Sequence, residues 1–198
     1  MPRDMAAQQP IVGILLAAGS GTRFGGGKLI HPLDDGIAIA VHAARNLIAA
    51  HLDVLAVVRA GDFPLADMLE QEGCRVTPCK EAVAGMGHTL AHGVARTRDA
   101  AGWVVALADM PKIKPATITA ISRALTAGAA IAAPMYRGER GHPVGFSSAL
   151  GGELVALSGD SGAKAVLQRH GDAIVLIDCD DPGVVLDIDE RSDLGRIV

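Results

Sequence analysis

Ile11-Val12-Gly13-Ile14-Leu15-Leu16-Ala17-Ala18-Gly19-Ser20-Gly21-Thr22-Arg23-Phe24-Gly25-Gly26-Gly27-Lys28 is the stretch on which the fold turns. Ile11 to Ala17 is an apolar run, which predicts a buried first strand. The glycine-rich segment directly after it lets the backbone approach a ligand and turn N–H groups toward an anion. Arg23 and Lys28 add positive charge where phosphates would sit, and Lys28 reads as an exposed loop lysine that carries little packing. A Walker loop needs Ser or Thr after its Lys and a Gly five residues before Gly27; Leu29 and Thr22 stand there. A dinucleotide fingerprint beginning at Gly19 needs a third glycine where Phe24 stands. The segment is then a phosphate-binding loop of another kind or a flexible glycine-rich turn with solvated basic residues; three consecutive glycines followed by Lys28, directly after a buried strand, are hard to justify as packing and favour the first.

Outward from this loop the pattern alternates. Helical spacing covers Ile37 to Ala50, Phe63 to Gln71, His88 to Arg98 and Pro115 to Thr126, the last with proline near its start. Short apolar runs at Leu52 to Val58, Cys74 to Thr77, Trp103 to Leu107 and Ala129 to Ala133 predict further strands. Such alternation gives an α/β fold, a Rossmann-like three-layer sandwich with a mostly parallel central sheet. After Pro134 the rhythm changes. Gly141 to Phe146 reads as a strand off the main pattern, Gly162 to Gln168 as helical, and Ala173 to Ile177 and Val184 to Ile188 as late strands. Met1 to Pro10 reads as a disordered leader, and residues 11–198 as a single domain.

Composition narrows the function. The 198 residues suffice for a hydrophobic core without disulfides or structural metal. With 3% aromatics and a formal net charge of −4, the chain lacks both stacking platforms and the basic surface that nucleic acid requires. No apolar run reaches membrane-spanning length. Three cysteines, Cys74, Cys79 and Cys179, without metal-ligand or redox spacing read as reduced thiols of a cytoplasmic protein.

Two acidic positions suggest metal chemistry. Asp109 follows the fourth buried strand, and a carboxylate there stands in the crevice where α/β folds bind ligands. It suits an Mg²⁺ ligand bridging phosphate oxygens or an ordinary turn or helix-capping residue. Asp187 and Asp189 flank Ile188, and alternation along a strand would put both carboxylates on one face. Close like charges are costly unless a cation answers them. The run Asp178 to Asp181 reads as a solvated acidic loop.

Leu16 to Lys28 resembles the signature of the molybdenum cofactor nucleotidyltransferases and their relatives among the nucleotide-sugar pyrophosphorylases: Leu-Ala-Ala/Gly-Gly, a spacer, Arg-Met/Phe-Gly and Lys. The resemblance runs from about Ile11 to Leu194 and implies a nucleotide-diphospho-sugar transferase type of fold. In that family the loop wraps a nucleoside triphosphate. This implies nucleotide binding by Leu16, Ala17, Ala18, Gly19, Gly21, Arg23 and Lys28, with Arg23 and Lys28 neutralising the phosphates. Ala108-Asp109-Met110-Pro111 stands where the family has Gly-Asp-Met/Gln-Pro, which implies Asp109 as a metal ligand. Asp187-Ile188-Asp189 is similar to a closing Asp-Ile-Asp segment, which implies Asp189 as second ligand with Asp187 close behind. Gly87, His88 and Thr89 lie in the family's base-contacting loop, although His88 departs from its usual serine-rich form.

Ala17-Ala18-Gly19 and Arg140-Gly141-His142-Pro143 resemble the cytidylyl branch, and Gly159-Asp160-Ser161-Gly162-Ala163-Lys164 follows that branch too. The resemblance implies CTP as donor and Mg²⁺ as cofactor. It implies a molybdopterin-type acceptor met by Arg140, His142 and Lys164, and a molybdoenzyme or its chaperone as protein partner. Arg23, Lys28 and Asp109 would carry catalysis. The rivals are a related transferase with another acceptor, an NADP-binding oxidoreductase with Arg59 on the 2′-phosphate, and a non-catalytic nucleotide sensor. Phe24 and the lack of a catalytic Tyr/Lys or Ser/His set count against the oxidoreductase; intact Arg23, Lys28 and Asp109 count against the sensor.

Overall fold

The computed structural model describes residues 9–196. Apart from Gln9 and Pro10, the leader expected at the start lies outside the described residues. Helices alternate with strands as far as Tyr136: β1 (Ile11–Ala17), α1 (Ile39–Ala49), β2 (Asp53–Arg59), α2 (Phe63–Gln71), β3 (Arg75–Cys79), α3 (Met86–Ala95), β4 (Gly102–Leu107), α4 (Pro115–Thr126) and β5 (Ile131–Tyr136). Then follow β6 (Glu139–Arg140), β7 (Val144–Ser147), α5 (Gly151–Val155), α6 (Lys164–Arg169) and β8 (Ile174–Asp178).

All eight strands form one sheet in the order β3-β2-β1-β4-β7-β5-β6, with β8 on β5. The pairs β1–β2, β1–β4, β2–β3 and β5–β8 are parallel, while β7 enters antiparallel between β4 and β5. This is the α/β fold with a mostly parallel, mixed sheet that the alternation predicts.

The period of the strand explains the layers. Ile14 and Leu16 of β1 pack with Leu90 and Val94 of α3 and Leu154 of α5. Leu15 and Ala17, pointing the other way, pack with Leu47 of α1 and Ile118 and Ile121 of α4. Each fully buried Leu or Ile side chain contributes about 1.5–3 kcal/mol of transfer free energy, so a strand apolar at successive positions is stable only with helices on both faces.

Two expectations fail in the C-terminal third. Val184–Ile188 is not a strand: Pro182–Val185 forms a 3-10 turn, and the chain then runs extended without a strand partner. Proline at the start and Gly183 packed against the Lys112 carbonyl leave no room for a ladder. Nor is Asp178–Asp181 wholly a solvated loop. Asp181 is buried and accepts hydrogen bonds from Lys114 N–H (2.8 Å), Thr117 Oγ1 (2.6 Å) and Gly183 N–H (3.1 Å). Helix α4 has no capping side chain of its own at Lys114, so Asp181 supplies the cap from a distant segment. No helix among the described residues is long and apolar enough to cross a membrane.

Candidate functional site

The carboxyl ends of β1, β2 and β4 open into a cleft of about 430 Å³, lined there by Leu16, Arg59 and Leu107. Parallel strands end on the same side, so residues just beyond them converge although they are far apart in the chain. Ala18, Gly19, Ser20 and Arg23 of the glycine-rich loop form one rim. The loop is held internally: Phe24 and Gly26 N–H donate to the Gly21 carbonyl (3.1 and 3.0 Å), and Gly25 N–H donates to Thr22 (3.1 Å). Gly25, Gly26 and Gly27 all have positive φ (92°, 89° and 63°), which three consecutive side-chain-bearing residues would not tolerate. The amides of Gly25 and Gly26 thus close the loop rather than point at a ligand. Phe24 is buried with Ile39 and Ile188, its ring beneath the Arg191 guanidinium at 4.8 Å. That residue, which breaks the dinucleotide pattern, anchors the loop.

Lys28 lies on the cleft floor. It is only 7% exposed, so the expectation of an exposed loop lysine is wrong. The turn that follows the glycines swings its backbone under the loop, with Gly21 directly against Lys28 Cβ. Its Nζ donates to Asp109 Oδ2 at 2.7 Å and lies 3.9 Å from Asp189 Oδ1. Arg23 pairs with the other oxygen of Asp189, but its side chain is 71% exposed. Two carboxylates from distant segments therefore meet at one ammonium. Their approach is set by the backbone, because Ile188 N–H donates to the Asp109 carbonyl at 3.0 Å. Ile188 is buried beside Phe24, which leaves Asp187 exposed and Asp189 half-buried between Arg23 and Lys28. The oxygen-only donor set of Asp109 and Asp189 suits a hard divalent cation such as Mg²⁺ or Mn²⁺.

The opposite wall is built from the 3-10 turn Lys80–Ala84 and the start of α3, with Ala82, Val83, Gly85, Met86 and Thr89 facing the cleft. This wall is zipped to residues 158–160. Gly87 N–H donates to the Gly159 carbonyl (2.8 Å), and Gly159 N–H donates to His88 Nδ1 (3.1 Å). A Cβ at Gly85 would lie 2.3 Å from the Gly159 carbonyl group, so only glycine permits the contact. Through it Asp160 reaches the cleft.

Outside the cleft lining, His142 N–H donates to the Val184 carbonyl (2.8 Å). Burial, and the nearby Arg140 charge, hold the imidazole below its ordinary pKa despite the opposing pull of Asp109 and Asp187, and Nδ1 is buried without a partner among the described residues. Arg140 and Lys164 are exposed.

The cleft thus combines a glycine-rich loop over a buried lysine with one carboxylate beyond β4 and a second on the unpaired chain near the C-terminus. Residues 13–174 match the family described as MobA-like NTP transferase domain. This chain belongs to that family. Among its relatives, purine catabolism protein PucB of Bacillus subtilis (strain 168) is 28% identical, covering 94% of this chain and 96% of that protein. Nicotine blue oxidoreductase of Paenarthrobacter nicotinovorans is 27% identical, covering 95% and 96%. Among solved structures, Rv0371c of Mycobacterium tuberculosis H37Rv superposes with a TM-score of 0.83 at 27% identity, covering 98% of each chain; a manganese complex of it gives 0.76 at 26%, covering 95% and 97%.

In this NTP transferase the cleft is lined by Leu16, Ala18, Gly19, Arg23, Lys28, Thr89 and Asp109. Ala17 is buried below it, and Gly87 and His88 serve the contact with residues 158–160. Asp189 joins through Lys28 and Arg23. Asp187, Arg140, His142 and Lys164 stand outside the cleft lining. Sequence reading did not assign Ser20, Val83 or Asp160 to the site. The Gly-Asp-x-Gly-Ala-Lys pattern marked the neighbourhood of Asp160, but nothing local showed that its loop crosses to α3.

Proposed function

We propose that this MobA-like NTP transferase moves a nucleotidyl group, CMP from CTP by preference, onto the phosphate of a molybdopterin-type acceptor. An acceptor phosphate oxygen attacks the α-phosphorus, the bond between α-phosphorus and bridging oxygen breaks, and pyrophosphate leaves. The observation that carries the reading is the buried Lys28 beneath the loop, 2.7 Å from Asp109. A fixed, desolvated ammonium acts on phosphate charge without reorganising, and so stabilises the transferring group more than a mobile surface lysine would. Lys28 and Arg23 would neutralise the β- and γ-phosphates, and the loop would align the α-phosphorus with the acceptor.

Asp109 and Asp189 would hold Mg²⁺, with Asp187 behind them; the manganese complex of the mycobacterial relative supports a divalent ion. When bound, the ion compensates charge on the α-phosphate and the departing pyrophosphate. CTP preference rests on Ala17-Ala18-Gly19 and on Arg140-Gly141-His142-Pro143. At neutral pH His142 acts as a hydrogen-bonding group, because burial favours its neutral form, and Arg140 and Lys164 supply the acceptor-side charge. A molybdoenzyme or its chaperone would then receive the product.

The test is pyrophosphate release from each of the four NTPs, with and without molybdopterin. CTP-dependent, acceptor-dependent release is expected. A GTP preference would move the base assignment, and silence with every NTP would overturn transfer. One relative's name, nicotine blue oxidoreductase, and Arg59 in the cleft favour a second reading as an NADP-dependent enzyme. Saturable NADPH binding, read by its fluorescence and lost in Arg59→Ala, together with no pyrophosphate release from any NTP, is its signature.

A further inference from the structure

We propose that Cys79, Glu81 and His92 form a second cation site, one for a thiophilic divalent ion of the zinc class. Among the described residues, this trio of potential ligands has its donor atoms all within 4.8 Å of one another. Three different elements deliver them. Cys79 ends β3, Glu81 begins the 3-10 turn after it, and His92 lies on α3, which folds back over β3. Thr77 and Cys79 are two apart on β3 and face the same way. The Thr77 hydroxyl lies 2.9 Å from His92 Nε2 and orients the ring. Cys79 Sγ is 3.8 Å from Glu81 Oε2.

The donor set decides the ion. Sulfur, imidazole nitrogen and carboxylate oxygen suit a zinc-like ion, whereas Mg²⁺ and Ca²⁺ take oxygen ligands. Three protein ligands leave a fourth position open on the side where Glu81 is exposed. Binding replaces the S–H bond with an S–metal bond and releases that proton to solvent, so affinity rises with pH. The site lies behind the nucleotide cleft, because the turn carrying Glu81 also presents Ala82 and Val83 to it. An ion there would brace that wall from the far side.

The experiment is a Co²⁺ titration of the full chain, read by the thiolate-to-cobalt charge-transfer band in the near ultraviolet. A one-to-one band displaced by Zn²⁺ is expected. Cys79→Ser should abolish it. Cys74→Ser should retain it, since burial pushes the Cys74 thiol up to about 11 and Cys74 belongs to a different cluster. Glu81→Gln lies on the surface, keeps the fold, and should weaken binding about tenfold, in the range seen when a contact to a metal site is removed. Asp109→Asn should leave the band intact, which separates this site from the proposed transferase centre. No band in the wild type, a band that survives Cys79→Ser, or unchanged affinity in Glu81→Gln would overturn the proposal.

Discussion

Residues 11–133 and residues 134–196 build the same cleft by different means. In the first region each functional group follows a parallel strand: the glycine-rich loop after β1, Arg59 at the end of β2, Asp109 after β4. In the second, Asp160 arrives on a turn between short helices and Asp189 on unpaired chain. Individual backbone bonds hold them: Ile188 N–H to Asp109, His142 N–H to Val184, Gly87 N–H to Gly159. The first region places chemistry by topology, and the second by contacts that any neighbouring substitution disturbs. Changes in the first region should therefore act mainly on turnover, and those in the second mainly on stability or on the tuning of the site.

Lys28→Ala should test this hardest. Loss of a charge-assisted phosphate contact, about 1.5–3 kcal/mol, corresponds to a fall of roughly 10- to 160-fold in kcat/KM. Because Lys28 is buried against Asp109, stability should fall too, by about 1–3 kcal/mol. Asp109→Asn keeps shape and should reduce turnover more than it lowers the denaturation midpoint. Steady-state kinetics beside urea unfolding read both; unchanged kcat/KM in either variant removes that residue from the site.

Asp181→Ala should do the reverse. Removing the buried acceptor of three hydrogen bonds should cost about 2–3 kcal/mol in urea unfolding while kcat, measured well below the midpoint, stays near wild type. A large fall in kcat with unaltered stability would break the contrast between the regions.

Asp189→Asn should raise the Mg²⁺ concentration needed for half-maximal turnover about tenfold, and Asp187→Asn should shift it less than twofold, since Asp189 meets Lys28 and Arg23 while Asp187 is exposed. Equal effects would mean that both carboxylates reach the ion. Between these in size is a pH effect. Burial holds folded His142 below its ordinary value of 6.5, so the unfolded chain takes up the proton first as pH falls. Its contribution to stability is full above about pH 6.5 and is lost below it, with a slope of at most about 1.4 kcal/mol per pH unit. His142→Gln should flatten that part of the stability profile; an unchanged profile would assign it to other groups.

The regular elements were legible because their causes are local. Period-2 burial on β1 and helical spacing on α2 and α4 arise from covering a sheet on both faces, and α2 and α4 run over the residues predicted. The helix expected from His88 begins instead at Met86, because its first turn is secured by residues 158–160 rather than by a capping residue of its own. Val184–Ile188 has the apolar run of a strand, but no strand among the described residues offers it a ladder.

The sequence by itself determined the layered α/β architecture, the glycine-rich loop with Arg23 and Lys28, and the position of Asp109 beyond a buried strand. Each depends on residues close together in the chain. The tertiary structure alone decided that Lys28 is buried, that Asp189 joins Asp109 at its ammonium, and that Asp181 caps α4. It also decided that Cys79, Glu81 and His92 converge. Burial and charge pairing depend on which distant surfaces meet, and a one-dimensional pattern records the face a residue prefers but not the partner it finds there.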